Sequence, residues 1–489
     1  MQLYVTGLAS GYEPEHVARL FFSAAQLVKR WPSARLEPNA VVVKLSRRRM
    51  LCGIRQNGLA AVRTMPRPAD DKQTEYELSK LLYHLLCEAT NRRPPWGMLT
   101  GVRPVRIVHD MRRTGHSDAE IEHWFRQKYF VSQPKYALAR AVAQVQHPVL
   151  EQAARLRRPY SLYLSIPFCP SRCSYCSFVS RSTAESGKLI APYVEKLCEE
   201  LRDIAALAAR CSLQLVSVYI GGGTPTAISA PQLRALMETV RACFPMDTVQ
   251  EYTVEAGRPD CTTPEKLQII KEYGATRISI NPQTLSDAVL QNIGRRHTAQ
   301  DILDCFAAAR AAGHGNINMD LIAGLPGDDL AGFQRSLAGV MALSPENITV
   351  HTLTLKRASN LVIEHADSAS GDVAAMVEKS QEMLADSYEP YYLYRQKGTL
   401  GNLENTGYTK PGFAGLYNIY IMEEVHTILS AGAGGSTKLV QPVSGQISRI
   451  FNHKYPLEYI ERFDVVRERK KGVEKFYGQF PDLDSEAAR

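Results

Sequence analysis

The sequence predicts an α/β protein: a partial (β/α)6 barrel with an extra amino-terminal α/β domain and a carboxy-terminal α+β domain. Three observations predict it. Between residues 161 and 355, six short β-rich runs alternate with helical patterns, as in parallel strands joined by right-handed crossovers. The helices between them carry explicit start signals. The flanks lack this alternation, and 489 residues exceed what one hydrophobic core organises.

Taken in order, residues 1–155 hold strand-like alternation at 40–45, a long helical stretch at 73–90 and the linker Arg92-Arg93-Pro94-Pro95-Trp96. They read as a separate α/β or α+β domain. The core, 156–371, places strands at 161–166, 213–220, 250–255, 276–280, 317–322 and 348–353. Its first helix, 188–210, sets Leu189, Tyr193, Val194, Leu197, Leu201 and Ile204 on one stripe at helical spacing. Later helices open at Ser229 before Pro231, at Thr262-Thr263-Pro264, and at Thr298 with Asp301 three residues on. Residues 372–489 begin with a helix, then become rich in Tyr, Gly and Asn, with Gly432-Ala433-Gly434-Gly435 as a tight backbone site. This segment is expected to cover a substrate.

Charged residues at 22% and hydrophobic residues at 45% are ordinary for a soluble globular protein. No apolar run approaches the length that spans a bilayer, and the first residues lack a basic region followed by an apolar one. The expectation is a cytoplasmic protein, so the ten cysteines argue for reduced thiols and metal ligation over disulfides. Cys52, Cys87, Cys198, Cys211, Cys243 and Cys305 sit in apolar or helical contexts and read as small core residues. The net charge of +8 suits anionic partners, among them a carboxylate-rich small molecule.

Chemistry concentrates at the strand ends. After the first core strand comes Cys169-Pro170-Ser171-Arg172-Cys173-Ser174-Tyr175-Cys176, a Cys-x3-Cys-x2-Cys array. Three thiolates on one loop can ligate three irons of a 4Fe-4S cluster and leave the fourth open. The amino and carboxylate groups of S-adenosylmethionine (SAM) can chelate that iron, so that an electron from the cluster cleaves SAM to a 5'-deoxyadenosyl radical. A closed structural zinc site wants four ligands, and the loop offers no fourth Cys or His.

Gly221-Gly222-Gly223-Thr224-Pro225 ends the second strand, where missing side chains let backbone approach a ligand. A phosphate loop would continue with Lys and then Ser or Thr, and here Thr226-Ala227-Ile228 follow. Backbone facing the SAM amino group explains the glycines better. Glu255 closes the third strand, Gln283 follows the fourth and Asp320 lies on the fifth, one polar side chain per strand toward one open end. An acidic group there can hold ribose hydroxyls.

With these motifs the chain resembles the oxygen-independent coproporphyrinogen III dehydrogenase (oxidase) family of radical SAM proteins. The resemblance spans about 159–360: Tyr163 to Cys176, Gly221 to Pro225, Val254-Glu255, Ser279 to Gln283, Gly294-Arg295-Arg296-His297 and Asn318 to Pro326. Glu255-Ala256-Gly257-Arg258-Pro259-Asp260, Tyr394-Arg395-Gln396-Lys397 and Leu99-Thr100-Gly101-Val102-Arg103-Pro104 look like its HemZ-type branch. The resemblance implies the radical SAM partial (β/α)6 barrel, a 4Fe-4S cluster on Cys169, Cys173 and Cys176, and SAM. It also implies a low-potential electron donor and oxidative decarboxylation of propionate side chains on a tetrapyrrole in haem biosynthesis. Tyr163, Gly222 and Glu255 match the cluster-bound SAM site. Tyr175, Gly223, Thr224, Gln283, Arg295 and Asp320 match a second SAM position.

Where the dehydrogenase loop carries a further Cys, this chain has Phe178, which looks like the related haem-chaperone branch. A haem-binding protein that keeps the cluster is therefore the alternative, and a radical SAM enzyme acting on RNA ranks last. The basic runs at 46–49 and 103–113 lack interleaved aromatics. Arg395 and Lys397, beside Tyr391, Tyr392 and Tyr394, are candidates to pair propionates while the rings pack on the macrocycle.

Overall fold

The computed structural model describes residues 1–480 except 9, 23–25, 29–35, 102, 177, 179, 355–365, 397 and 442–443, and only the backbone of 26–28 and 366–371. It divides into two compact units, residues 1–140 with 395–403, and residues 141–394 with 404–489. Among the described residues no helix is long and apolar enough to cross a membrane.

The first unit is a five-stranded sheet backed by a helix. Its strands are β1 (Gln2–Thr6), β2 (Gln26–Val28), β3 (Ala40–Leu45), β4 (Arg49–Gln56) and β5 (Leu59–Pro66), in the order β2-β1-β3-β4-β5. Apolar side chains of Leu3, Val5, Val41, Val43 and Ile54 pack on the helix Asp71–Thr90 through Leu78, Leu82, Leu85 and Leu86. That spacing draws one stripe along the helix. Asp70 caps its start by accepting from the Gln73 N–H at 2.7 Å, and Asn91 ends it in the left-handed region. Each fully buried leucine contributes about 2 kcal/mol of transfer free energy.

Arg395 belongs to this unit, and its position corrects the expectation that it pairs with a propionate. Its guanidinium is buried over the Trp96 ring. It donates to the carbonyls of Leu99 at 2.6 Å, Gly101 at 3.2 Å and Asn402 at 3.1 Å. Backbone oxygens take up its hydrogen-bonding capacity. Tyr391 and Tyr392 are buried within the second unit, and Lys397 lies outside the described residues.

The second unit carries β6 (Pro159–Ile166), β7 (Phe168–Cys169), β8 (Arg181–Ser182), β9 (Gln214–Gly222), β10 (Glu251–Glu255), β11 (Arg277–Ser279), β12 (Ile317–Ala323) and β13 (Asn347–Thr352). It continues with β14 (Glu389–Arg395), β15 (Glu404–Thr409), β16 (Thr427–Ala431), β17 (Ser436–Val440) and β18 (Ile447–Phe451). Eleven of these form one sheet in the order β14-β15-β13-β12-β11-β10-β9-β6-β16-β17-β18. The six expected core strands are β6 and β9 to β13, all parallel to one another, while β15 pairs antiparallel with the outer edge of β13. β16 adds a seventh parallel strand beside β6, pairing Thr427 with Tyr160 through Ala431 with Leu164. The expected division at 371 therefore falls inside one sheet.

The start signals act as written. Ser229 with Gln232, and Thr298 with Asp301, form reciprocal capping boxes, and Thr263 accepts from the Lys266 N–H at 3.3 Å. On the helix-facing side of the sheet, residues such as Leu162, Val218, Val254, Ile278 and Leu321 are fully buried. The opposite side is polar: Ser161 and Ser217 share a 2.6 Å hydrogen bond, and Asn318 donates to Ser279 at 2.9 Å and to Asp320 at 2.7 Å. A strand buried on both faces usually reads as continuously apolar. Here one face carries hydrogen-bonding groups that bond to one another, which is how buried polarity is tolerated.

Candidate functional site

The cysteine loop starts and ends in the two-residue parallel ladder of β7 and β8, Phe168 with Arg181 and Cys169 with Ser182. Between them the chain has little regular structure, so contacts from other strand ends fix its path. The Gly223 N–H donates to the Ile166 carbonyl and the Thr224 N–H to the Phe168 carbonyl, both at 2.8 Å. A Cβ on Gly223 would stand 2.7 Å from the Phe168 carbonyl and 3.0 Å from Cys169 Sγ. Gly222 adopts φ +110°, where a side chain is strained. The glycines thus seat the loop directly on the end of β9. On the far side, Ser174 N–H donates to the Ile293 carbonyl at 3.1 Å and Ser171 Oγ to the Gly294 carbonyl at 3.0 Å.

Donors face all three sulfurs, with Ser180 also bonding Cys169 and Arg295 also bonding Cys173. Thr224 Oγ1 donates to Cys169 Sγ at 3.4 Å, and the Phe178 N–H faces Cys176. Arg258 Nη1 lies 3.9 Å from Cys173 Sγ. Burial pushes the Cys169 and Cys176 thiols up, so a positive metal must bind for them to ionise. Among the described residues no three Cys, His, Asp or Glu side chains converge tightly enough for a single metal ion. A cubane takes one thiolate on each of three irons, which is what three thiols on one loop offer.

Next to the loop, Glu255 at the end of β10 accepts a 2.6 Å hydrogen bond from the Tyr219 hydroxyl. Burial, reinforced by Asp320, pushes its carboxyl up to about 7. Asp320 on β12 is held below the usual carboxylate range: burial opposes ionisation, but His351, Asn318 and Thr349 outweigh it. His351 Nε2 lies 3.6 Å from Asp320 Oδ2 and is held above its usual value by that carboxylate, against the opposing effect of burial. The result is one carboxyl whose ionisation burial hinders, beside a carboxylate and an imidazole that favour each other's charged forms. The Tyr163 ring lies roughly parallel to Tyr219 and Tyr417, at 6.1 and 6.2 Å between centroids.

The remaining expected residues are placed as follows. Gln283 sits after β11 with φ +67°; its N–H donates to the Asp320 carbonyl at 2.8 Å and its own carbonyl accepts from Ile322. Arg295 donates to the Asn281 carbonyl at 2.6 Å and to the Tyr175 hydroxyl at 3.3 Å. Thus Tyr175 and Arg295 meet, Glu255 and Asp320 sense each other's charge, and Thr224 turns toward a sulfur. Sequence reasoning does not single out Arg258, Arg277 or His351. Arg277 is buried beside Tyr391, Glu251 and Tyr219, and its Nε and Nη2 find no hydrogen-bond partner among the described residues. An arginine opening a core strand is the signal that would have found it.

The radical SAM superfamily model matches residues 163–338. The chain is 37% identical over 404 residues to the oxygen-independent coproporphyrinogen-III oxidase-like protein HemZ of Bacillus subtilis, covering 82% of this chain and 81% of that protein. It belongs to this radical SAM family. The same chain is 31% identical to the heme chaperone HemW of Bacillus subtilis, over 65% of this chain and 82% of the chaperone. A solved structure of coproporphyrinogen III oxidase (HemN) from Escherichia coli aligns over 66% of this chain and 73% of its own, at 22% identity and a TM-score of 0.49. As a radical SAM protein the chain uses a 4Fe-4S cluster and SAM. The loop fits that pair: three thiols and a glycine seat that a Cβ would fill.

Proposed function

We propose that this radical SAM protein is an oxidoreductase that oxidatively decarboxylates propionate side chains of a tetrapyrrole, with Cys169, Cys173 and Cys176 holding the cluster. The observation that carries the reading is the seating of the three-thiol loop on the glycine end of β9, beside Glu255. When bound, the cluster and SAM supply a carbon-centred radical that removes a hydrogen atom. The chain's own residues bind and orient. Gly222 and Gly223 bring backbone against the loop, Glu255 receives ribose hydroxyls, and Tyr163 packs along Tyr219 and Tyr417 below. Tyr175, Gly223, Thr224, Gln283, Arg295 and Asp320 form a second SAM position, where His351 holds the Asp320 carboxylate toward its ionised form. The 37% identity to an oxidase-like relative supports the substrate class, and a low-potential one-electron donor completes the reaction. The test is anaerobic: reconstituted protein with SAM, dithionite and coproporphyrinogen III, measuring 5'-deoxyadenosine and tetrapyrrole products separately. Deoxyadenosine with vinyl products supports the reading; deoxyadenosine alone removes the substrate and keeps the chemistry.

Phe178 favours a second reading, a haem-binding protein. Its side chain is 65% exposed in the loop that carries the sulfurs, an apolar ring left in water. Haem titration of the wild type and of Phe178→Ser, followed by the Soret band, tests it: equal affinity would remove Phe178 from the argument.

A further inference from the structure

Arg258 follows β10 in the segment Glu255-Ala256-Gly257-Arg258-Pro259-Asp260 and is almost fully buried. Its guanidinium reaches two places at once. Nη1 donates to the Ser171 carbonyl at 2.9 Å and Nη2 to Ser171 Oγ at 3.1 Å, inside the cysteine loop. Nη1 also points at Cys173 Sγ, 3.9 Å away, while Nε and Nη2 grip both oxygens of Asp260 at 3.0 and 2.6 Å. Cys169 and Cys176 receive hydroxyls and a backbone N–H, whereas Cys173 faces two guanidiniums, Arg258 and Arg295, of which only Arg258 also grips the loop through Ser171 and is countered by Asp260.

We propose that Arg258 is a positioning residue that sets the reduction potential of the cluster, with Asp260 as its opposing partner. The proposal rests on the assignment of the cluster to Cys169, Cys173 and Cys176. A cluster held by three thiolates gains one negative charge on reduction. A guanidinium against one of those sulfurs therefore stabilises the reduced form more than the oxidised one and raises the potential. The Asp260 carboxylate works the other way, from the far side of the guanidinium. The balanced step is a one-electron transfer from a low-potential donor, for which dithionite stands in the assay, to the oxidised cluster.

A unit charge within about 10 Å, under the effective screening of a protein interior, shifts such an equilibrium by about tenfold. For a one-electron couple that is about 59 mV.

The test is a potentiometric titration of the full-length, reconstituted protein without SAM, followed by electron paramagnetic resonance of the reduced cluster. Iron and sulfide are assayed in each sample. Arg258→Gln should leave about tenfold less reduced relative to oxidised cluster at the wild-type midpoint. Asp260→Asn should shift the ratio the opposite way, and Arg258→Lys, which keeps charge but loses the fork on Ser171, should stay near wild type. Equal midpoints for wild type, Arg258→Gln and Asp260→Asn at full iron content overturn the proposal. So does Arg258→Lys matching Arg258→Gln, since bonding to the loop would then be the cause. If Arg258→Gln does not retain the cluster, the direction of the Asp260→Asn shift decides alone. Wild-type protein that binds no cluster would instead overturn the cluster assignment, leaving a result distinguishable from an unmoved potential.

Discussion

Glu255→Gln should remove one component of the pH dependence of stability. In the folded chain burial raises the Glu255 carboxyl from 4.5 to about 7. Between those values the native state holds a proton that the unfolded chain has released, so unfolding releases a proton and stability falls as pH rises. Below about 4.5 both states are protonated and the group contributes nothing; above about 7 the full cost of burying the carboxylate is present. At 1.36 kcal/mol per pKa unit, the shift of about 2.5 units corresponds to about 3 kcal/mol as an upper figure. Gln keeps an oxygen to accept the Tyr219 hydrogen bond but never ionises. The variant should therefore melt close to wild type at pH 5 and above it at pH 8. At about 2 °C per kcal/mol for a large domain, the difference is about 6 °C at most. Thermal melting of the cluster-free protein at a fixed scan rate across that range reads it. Parallel melting curves for the two proteins across the range would falsify the burial argument. A second arm uses SAM: ribose hydroxyls donate best to an ionised carboxylate, so wild-type affinity should rise with pH through about 7 and level off above it, and the variant's should not.

Three further outcomes follow from packing and ligation. Replacing Cys169, Cys173 or Cys176 singly by Ser should bring reconstituted iron to background, whereas Cys198→Ser and Cys305→Ser should leave it intact; colorimetric iron analysis checks both. Glu200 is buried, accepting from Gly432 N–H at 2.7 Å, Asn452 at 2.8 Å and Tyr459 at 2.7 Å, and it pairs with Lys470 at 3.3 Å. Glu200→Gln leaves that ammonium buried without its counter-charge and should cost about 3–5 kcal/mol, seen as a lower urea midpoint. Gly432 has φ +90°, and a Cβ there would stand 2.5 Å from the Tyr193 hydroxyl and 2.6 Å from the Ser165 carbonyl, so Gly432→Ala should destabilise by about 2–4 kcal/mol in the same assay.

What the sequence makes legible is what neighbours along the chain decide. Ser229 with Gln232, and Thr298 with Asp301, declare helix starts because the capping partners lie three residues apart. The six core strands are visible because β-branched runs end at glycines or polar residues, and the cysteine loop because its ligands share eight residues. Arg395 shows where this stops. Its nearest partner, the Leu99 carbonyl, lies 296 residues away in sequence, and nothing beside Tyr394-Arg395 reveals that a backbone oxygen takes the charge a propionate was expected to take. β16 is hidden for a similar reason. Five residues, Thr427–Ala431, carry little periodicity of their own and become a parallel strand only by pairing with β6. Arg258 sits inside a stretch that can be recognised as a motif, yet its contact with the loop residue Ser171 spans 87 positions.

That last separation bears on how the site is built. The cysteine loop has almost no secondary structure of its own, so its shape comes from β9 through Gly223 and Thr224, from the segment after β10 through Arg258, and from the turn at Ile293 and Gly294. β9 and β10 are hydrogen-bonded neighbours in one sheet, and so are β10, β11 and β12, which bring Glu255 and Asp320 to the same end. The sulfurs and the polar side chains therefore share one frame of reference, the register of the parallel strands. A register slip in β10 would displace Glu255 and pull Arg258 from Ser171 together. The bonds that β10 makes on either side, from the Tyr219 hydroxyl to Glu255 and from the Tyr252 N–H to Thr276 Oγ1, make such a slip expensive because each would leave polar groups unpaired. The polar interior thus has a structural task before any ligand arrives: it holds the strands in the one register that places a three-thiol loop over its carboxylates.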